Sequence, residues 1–320
     1  MIVKVEYILI FIVILLLCYN LLSSCGCGKG LADGFSVGYQ SYSNCDVSQK
    51  EKCIINIKKM IPCNNLYVSD CDFQNAWPWD SPGSPSVHFS SYVENGEFQN
   101  TNFSKSNLSN STFHKCDFNK SNFQKSILEN VNFKNSNLSG TNFSNTNLSQ
   151  SIMMANADLT DSIIISSNAS GIYLRNSILK NANLSNSIFN NADLIGTNLI
   201  NSSLVGAKLI NTRLSDSTLN NVNLSGADLS GADLDNAKLI GADLSGADLT
   251  NAYLGGADLS GADLSGADLN NADLTNANLS GANLININRN NMKQEIVCNK
   301  DTKFSKGFKN TCERYKWTYI

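Results

Sequence analysis

Aspartates at a fixed spacing are the most regular chemical feature of the last third of the chain. Residues 228–273 include eight aspartates separated by multiples of five positions. If residues twenty apart are neighbours in space, Asp228, Asp248 and Asp268 form one ladder, and Asp243 and Asp263 form a second, with steps of about 5 Å. Carboxylates at that spacing repel one another, although water and salt screen the repulsion.

Two interpretations of these ladders are open. Asp and Asn side chains both hydrogen-bond to nearby backbone groups, so in the first interpretation the aspartates are structural. In the second they form an acidic interaction surface for a partner or for calcium, although no glycine-rich calcium-binding loop accompanies them. The sequence favours the structural interpretation and leaves the acidic surface as a hypothesis.

Catalytic chemistry is sparse in this sequence. The chain has two histidines, His88 and His114, and neither stands beside a recognisable motif. The sequence contains no serine nucleophile elbow, phosphate-binding loop, dinucleotide fingerprint or metalloprotease helix. Because catalysis needs converging groups of suitable pKa, we predict a protein that is not an enzyme, with no catalytic residues, cofactor or metal.

Ten cysteines point to an oxidising compartment. Between Cys45 and Cys71 the cysteines are separated by seven, nine and seven residues, which does not match the close spacing of zinc ligands. Disulfides and export from the cytosol are therefore favoured. Cys298 and Cys312 flank a short loop near the C-terminus, and we predict that they pair. Six cysteines cluster before the regular part of the chain: Cys25, Cys27, Cys45, Cys53, Cys63 and Cys71.

Residues 7–22 are nearly all apolar, a length between a signal-peptide core and a full membrane span. Three interpretations are open: an anchor that leaves one N-terminal membrane helix, a lipoprotein signal ending at a lipidated Cys25, or a cleaved signal that leaves a secreted protein. The first is favoured, so we expect a single-pass membrane protein with its bulk exported or lumenal. Mass spectrometry of the mature N-terminus distinguishes the three.

The elements that position these groups follow a five-residue period. One apolar residue, the centre of each unit, recurs from Phe98 to Met153 and, after a slip of one residue, from Leu159 to Leu284, giving 12 and then 26 units. A small residue precedes each centre by two positions, and Asn or Asp usually precedes it directly. Cys116 occupies one of the small positions, where a thiol acts as a small buried hydrophobe.

A period of five fits neither an α-helix nor a flat strand. The small residue and the centre are two apart, so both point inward from an extended segment, and the remaining Asn, Asp, Ser and Gly residues favour a corner. Phe103, Phe123 and Phe143 match at intervals of twenty. Four units per coil are therefore predicted, in a solenoid with an apolar interior.

The repeated unit, exemplified by Ala-Asp-Leu-Ser-Gly at 227–231, resembles the pentapeptide-repeat family over about 190 residues. The resemblance implies an all-β fold, a right-handed four-sided β-helix, whose 38 units form a rod roughly 45 Å long at ~4.8 Å per coil. Some family members imitate duplex DNA and act on type II topoisomerases. A topoisomerase-directed DNA mimic is therefore an alternative function, although the leader and the cysteines argue against it.

The pattern weakens within residues 151–175. Beyond the slip, one centre is only Ala169, and Ile172 and Tyr173 replace the usual small and Asn/Asp residues. Either a bulge joins two blocks of the rod, or a projecting loop contacts a partner. The bulge is favoured.

Five segments are predicted in all: a signal-anchor or leader (1–24), a Cys-rich head (25–77), a Pro/Gly/Ser linker and cap (78–95), the β-helix (96–288) and a C-terminal cap (289–320). A net charge of −3 with 16% charged residues argues against direct nucleic-acid binding. We expect a noncatalytic, membrane-tethered rod that acts as a protein-interaction scaffold or spacer for an unidentified protein partner, with a dimer through the C-terminal tail as an alternative to capping.

Overall fold

The computed structural model describes residues 42–46, 63–67, 92–149, 152–290 and 297–305. Strands β1 to β4 form one parallel sheet in chain order, and β5 pairs in parallel with β6. The described residues contain no helix. The strands are β1 (Tyr42–Asp46), β2 (Cys63–Tyr67), β3 (Tyr92–Glu94), β4 (Thr112–His114), β5 (Asn283–Leu284) and β6 (Lys303–Phe304).

Parallel bridges twenty residues apart join successive coils wall to wall. Asp248 bridges to Asp228 on one side and to Asp268 on the other. Asp248 N donates to Ala227 O at 2.9 Å, and Leu229 N donates to Asp248 O at 2.7 Å. Since four five-residue units make one turn of twenty, the predicted four-sided β-helix is confirmed.

Two side chains of each unit point into the coil. Ala242 and Leu244 are 1% and 0% exposed, whereas Asp243 between them faces outward. This alternation extends from Val93 to Leu284. Burial of each leucine or phenylalanine contributes about 1.5–3 kcal/mol, so the centres form the main stabilising column, and their inward orientation is confirmed apart from the exception at Met153.

Each corner is a tight turn with one residue in the left-handed region. Ala232 N donates to Leu229 O at 2.9 Å, which closes a turn over Ser230 and Gly231. Gly231 has a φ of +66°, and a positive φ at the third residue is what a type II turn requires. Asparagine, which tolerates this conformation, holds the same position in many other units, for example at Asn211.

Gly231→Ala is expected to destabilise the rod more than Gly226→Ala. Both glycines have positive φ, +66° and +62°, so both substitutions carry a backbone strain of roughly 1–2 kcal/mol. A Cβ at position 231 would lie 2.4 Å from Asn211 Oδ1, whereas at position 226 it would meet nothing within 4 Å. We expect urea unfolding to show about 1 kcal/mol more destabilisation for G231A.

Asn211→Ala supplies the control for this pair, because it removes the oxygen that the new Cβ would meet. In that background, the two glycine substitutions should have equal effects on the free energy of unfolding. Equal effects with Asn211 still present would contradict the steric explanation.

The extra residue of the repeat lies earlier than the sequence predicted. Met153 is 45% exposed and Met154 is fully buried, so the prediction that Met153 is a centre is wrong. Three residues, instead of two, separate Leu148 from the next inward residue, Ile152, and the bridge from Asn132 to Met153 spans 21 residues. The extra residue therefore falls between Leu148 and Ile152. Methionine at either position would suit a centre. Only the backbone pairing with the neighbouring coil shows which of the two side chains points inward.

The irregular stretch around Ala169 remains in register with the rod. Ala169 and Ile172 are both fully buried, and Tyr173 is 49% exposed. The small and large inward residues have exchanged places, which keeps the interior volume nearly constant. Packing of residues 152–175 into the wall supports the bulge interpretation and leaves no projecting loop within these residues.

Phenylalanine rings fill the interior of the first coils. Phe123 stacks on Phe103 and Phe143, with ring centroids 5.1 and 4.8 Å apart and interplanar angles of 10° and 8°. It also makes edge contacts with Phe118 and Phe133 at 5.4 and 5.7 Å. The stacking of like centres twenty residues apart is thus confirmed in detail.

Buried hydroxyl groups at the small positions bond to the backbone. Ser167 Oγ donates to Phe143 O at 2.8 Å and accepts a bond from Thr146 N at 3.3 Å. Ser162 occupies an equivalent inward position, but its Oγ has no hydrogen-bond partner within the described part of the chain. A buried hydroxyl without a partner costs about 1–3 kcal/mol.

Opposite effects on stability are therefore expected for two Ser→Ala substitutions. Ser162→Ala should raise the free energy of unfolding by about 1 kcal/mol, because it removes an unpaired polar group. Ser167→Ala should lower it by about 1 kcal/mol, because it leaves Phe143 O and Thr146 N without this partner. Urea unfolding followed by circular dichroism measures both, and destabilisation by Ser162→Ala would contradict the assignment.

Coil geometry extends beyond the predicted 96–288 at both ends. β3 pairs with β4, placing fully buried Val93 twenty residues before Phe113. β1 and β2, within the predicted head, continue the same sheet. Beyond residue 288, β6 pairs with β5, and Phe304 packs against the core. Wall pairing uses backbone groups, so it persists where the sequence repeat has ended.

The apolar segment 7–22, Cys25 and Cys312 lie outside the described residues. The membrane segment, the lipidation and the pairing of Cys312 therefore stay predictions. Across the part of the chain that the structure covers, no helix has the length and apolarity needed to cross a membrane.

Candidate functional site

The four walls each present one outward column of residues spaced by twenty. Wall 1 carries positions 158 to 278, wall 2 carries 163 to 283, wall 3 carries 168 to 288, and wall 4 carries 153 to 273. These mid-wall positions lie between two inward side chains and are the surface that the rod offers to other molecules.

The two aspartate ladders lie on adjacent walls, and their carboxylates fix the corners. Asp228 Oδ1 accepts a bond from Ser230 N at 3.1 Å, as Asn223 Oδ1 does from Ser225 N at 3.0 Å. The local structural interpretation is therefore confirmed, since Asp and Asn perform the same function. Equivalent bonds are made on wall 3 by Asp248 and Asp268, and on wall 2 by Asp243 and Asp263.

Neutral amides end both ladders. Asn283 Nδ2 donates to Asp263 Oδ1 at 3.0 Å, and Asn288 Nδ2 donates to Asp268 Oδ2 at 3.4 Å. The Ser265 hydroxyl and N–H lower the pKa of Asp263, with smaller contributions from Asn283 and Lys303. Because this folded-state pKa is depressed, the stabilising contribution of Asp263 is complete above its ordinary pKa and is lost as pH falls through the lowered value.

His114 lies on the outer surface of the rod and is partly covered by its neighbours. Its side chain is 27% exposed, with Nδ1 3.3 Å from Glu94 Oε1 and Nε2 2.9 Å from Asn135 Nδ2. Lys115 Nζ lies 3.6 Å from the same Glu94 oxygen. These contacts join three successive coils, which is a structural function. His88 lies outside the described residues.

The two cysteines within the described part of the rod are buried. Cys116 is 1% exposed at an inward small position, as predicted, and burial raises the pKa of its thiol to about 12. Cys298 is fully buried and disulfide-bonded, and its pairing with Cys312 stays a prediction. No group of three or more His, Cys, Asp or Glu side chains within the described ranges is placed to hold a metal ion.

Wall 4 carries a cluster of charges that the sequence analysis missed. Arg175 Nε lies 2.6 Å from Asp193 Oδ2, and Arg213 Nη1 lies 3.3 Å from the same oxygen. The Asp193 side chain is 10% exposed, whereas both guanidinium side chains are about half exposed, at 49% and 51%. A single carboxylate thus orients two arginines that still face solvent.

Large apolar side chains are exposed on the same wall. Met153 and Tyr173 bridge to each other in adjacent coils and are 45% and 49% exposed, and Tyr253 is 54% exposed. The sequence placed Met153 inside and treated Tyr173 as an irregularity. Reading every twentieth residue onward from Met153 would have brought this column together. A shallow depression beside Tyr253 is lined by Ile210, Asn211, Ser230, Gly231 and Asn251.

Two family descriptions match the chain. Pentapeptide repeats, in eight copies, match residues 177–216, 217–256 and 252–288. The Pentapeptide repeat region matches residues 87–184. The matches together cover more than half of the chain, and they coincide with the coiled part of the structure. No curated protein sequence matches the chain.

Several solved structures are similar to this chain. HetL, a pentapeptide repeat protein involved in heterocyst differentiation regulation in Nostoc sp. strain PCC 7120, is 32% identical over 66% of this chain and 86% of its own, with a TM-score of 0.35. QnrB1, a plasmid-mediated fluoroquinolone resistance protein, is 21% identical over 72% and 92%, with a TM-score of 0.29. A pentapeptide repeat protein of the Arabidopsis thaliana thylakoid lumen is 26% identical over 40% and 68%, with a TM-score of 0.16.

Proposed function

Because the chain belongs to the pentapeptide-repeat family, we propose that it is a noncatalytic, membrane-tethered rod that serves as a protein-interaction scaffold or spacer. Family membership implies that the β-helix is right-handed. The proposed tether is the apolar segment 7–22, which is long enough to enter a bilayer.

The tolerance of the coil for varied outward residues supports this function. Asn or Asp holds most mid-wall positions and bonds to a corner N–H, but the coil also accepts quite different outward side chains at these positions. Wall 4 alone presents Met153, Tyr173, Asp193 and Arg213 in four consecutive coils. A rigid backbone that accepts such different outward residues suits recognition of another protein, because little conformational entropy is lost on binding.

Membrane fractionation of cells that express the full chain tests the tether. We expect the protein to sediment with membranes and to resist alkaline carbonate, and deletion of residues 7–22 should release it. A full-length protein that stays soluble would contradict the membrane-tethered rod.

Removal of one complete coil distinguishes a spacer from a scaffold. Deletion of residues 217–236 removes twenty residues and keeps every wall in register. If the rod is a spacer, its cellular activity should fall in proportion to the length that the deletion removes. If the rod is a scaffold, it should still bind its protein partner unless the deleted coil carries the binding residues.

A second candidate is a DNA mimic that acts on a type II topoisomerase. The in-register aspartates on walls 2 and 3 favour it, because stacked carboxylates resemble the regular charges of a nucleic-acid backbone. In this case the purified protein should inhibit gyrase supercoiling, and Asp248→Asn with Asp263→Asn should weaken that inhibition. Unaffected supercoiling would eliminate this candidate.

A further inference from the structure

We propose that wall 4 is a self-complementary surface through which two copies of this chain pack side by side, with antiparallel rods. From position 153 to position 253 the outward column of this wall reads Met153, Tyr173, Asp193, Arg213, Asp233 and Tyr253, one residue per coil, and Asp273 follows. A two-fold axis between positions 193 and 213 places this column opposite the same column of the second copy, running in the opposite direction.

Three kinds of pair formed in that register are complementary. Asp193 faces Arg213 of the second copy, and Tyr173 faces Asp233, where a phenol can donate to a carboxylate. Met153 faces Tyr253, an apolar pair in which sulfur meets an aromatic ring. Because the association is two-fold, each pair occurs twice, as in the isologous interfaces of most homodimers.

The flanking corner extends the same match. Arg175 and Asp235 each follow wall 4 by two positions, in the coils of Tyr173 and Asp233. The same two-fold axis therefore places Arg175 of one copy against Asp235 of the other. The shallow depression beside Tyr253 borders the opposite edge of wall 4, at the corner that precedes it.

Other registers are disfavoured by charge. Parallel rods would place Asp193 on Asp193 and Arg213 on Arg213. A shift of the axis to position 213 would set Asp193 against Asp233 and the two arginines against each other. Like charges brought together in this way are unfavourable. A shift of the axis by one coil, to between positions 213 and 233, still pairs Arg213 with Asp233, but it loses the contact between Arg175 and Asp235 and shortens the overlap of the two rods. The register with the axis between positions 193 and 213 is therefore favoured.

The exposed guanidinium groups have capacity for the new contacts. Arg175 and Arg213 use a single oxygen of Asp193, and each guanidinium carries five N–H donors. At the axis, the two Asp193–Arg213 pairs would merge into one network. Bidentate hydrogen bonds between a guanidinium group and a carboxylate are strong and directional.

The position of the axis also maximises the contact area. It lies near the middle of the coiled region 92–305, so the two rods overlap over about ten coils, or ~50 Å at ~4.8 Å per coil. A wall roughly 10 Å wide then buries about 1,000 Å² in total, the lower end of specific interfaces.

Antiparallel packing places the two N-termini at opposite ends of the pair. If the apolar segment 7–22 tethers each copy, the pair joins two facing membranes and does not form within one. This consequence rests on the proposed function, whereas the association of the rods does not.

Analytical ultracentrifugation of the full chain in detergent tests the association. A concentration-dependent dimer is expected, and Met153→Glu or Tyr253→Glu should raise its dissociation constant by about tenfold or more. Ile163→Glu and Ile178→Glu make the same change at exposed positions of walls 2 and 1 (36% and 40% exposed) and should leave it unchanged. Arg213→Glu should also weaken the dimer, and the matched control Lys208→Glu on wall 3 should not.

A photo-crosslinking residue at position 173 tests the register. It should join the peptide around Asp233 of the second copy, as identified by mass spectrometry. A monomer at all concentrations, a dimer that persists in Met153→Glu and Tyr253→Glu, or a crosslink from position 173 to position 173 would each overturn the proposal. Melting curves of the variants test whether they remain folded, and membrane fractionation reports separately on the tether.

Discussion

Leu244→Asp is expected to lower the free energy of unfolding by on the order of 5 kcal/mol. Leu244 is fully buried in the middle of a wall column, so the substitution loses about 1.5–3 kcal/mol of apolar burial. It also places a carboxylate where no polar partner points inward. Urea unfolding followed by circular dichroism measures the loss.

Two control variants separate the charge from the loss of packing. Ser245→Asp adds the same charge at the adjacent corner, where Asp235 shows in its own unit that aspartate is accepted, and it should change stability little. Leu244→Asn removes the apolar side chain without adding a charge. Its stability should exceed that of Leu244→Asp at neutral pH.

The pH dependence of that difference has a defined sign. Burial raises the pKa of a carboxyl group above its ordinary value of about 3.9. Protonation therefore relieves the buried charge as pH falls, and Leu244→Asp should approach Leu244→Asn in stability. A gap between the two variants that stays constant from pH 7 to pH 4 would contradict burial of position 244.

Limited proteolysis shows how far along the rod the unfolding caused by Leu244→Asp extends. Each coil of a solenoid contacts only its neighbours, so Leu244→Asp should open coils next to residue 244 before distant ones. New cleavage sites are expected first within about one coil on either side, around residues 224–264. Cleavage distributed evenly along the rod would indicate that the whole rod unfolds as one cooperative unit.

The repeat made the interior of the rod predictable from sequence. A small residue and a centre every five positions specify which side chains point inward, and the match of Phe103, Phe123 and Phe143 specifies twenty residues per coil. Both follow from local stereochemistry, because extended segments alternate their faces and Asn or Gly accepts the corner conformation. Burial of Ala242 and Leu244 and the +66° φ of Gly231 agree with that logic.

Features that depend on pairing between coils were not predictable in the same way. Met153 and Met154 are adjacent and chemically identical, so the position of the bulge is decided only by which one aligns with Asn132 in the neighbouring coil. In the Arg175–Asp193–Arg213 cluster, the interval of twenty aligns Asp193 with Arg213 from sequence, but the contact that Arg175 makes with Asp193 from a corner position is visible only in the structure. β1 and β2 carry no five-residue pattern, and they join the sheet through backbone hydrogen bonds that any sequence can make.

Phe123→Ala is the second substitution with a large expected effect, a loss of about 3–5 kcal/mol. Phe123 is fully buried, lies between two stacked rings and meets two others edge-on. Its removal leaves a cavity in the aromatic interior, which the rigid surrounding walls cannot close. Leu128→Ala, in the same coil but outside this set of ring contacts, is the matched control and should cost less.

A double-mutant cycle isolates the stacking from simple burial. Phe103→Leu and Phe123→Leu keep apolar side chains at both positions, so their coupling reports on the contact between the two rings, expected at about 0.5–1.5 kcal/mol. The corresponding Leu→Val cycle at Leu108 and Leu128, which stack without rings, should show a smaller coupling. Equal coupling energies in the two cycles would mean that the phenylalanines stabilise the first coils only through their volume. The in-register rings would then be a consequence of the twenty-residue coil and would not contribute to its register.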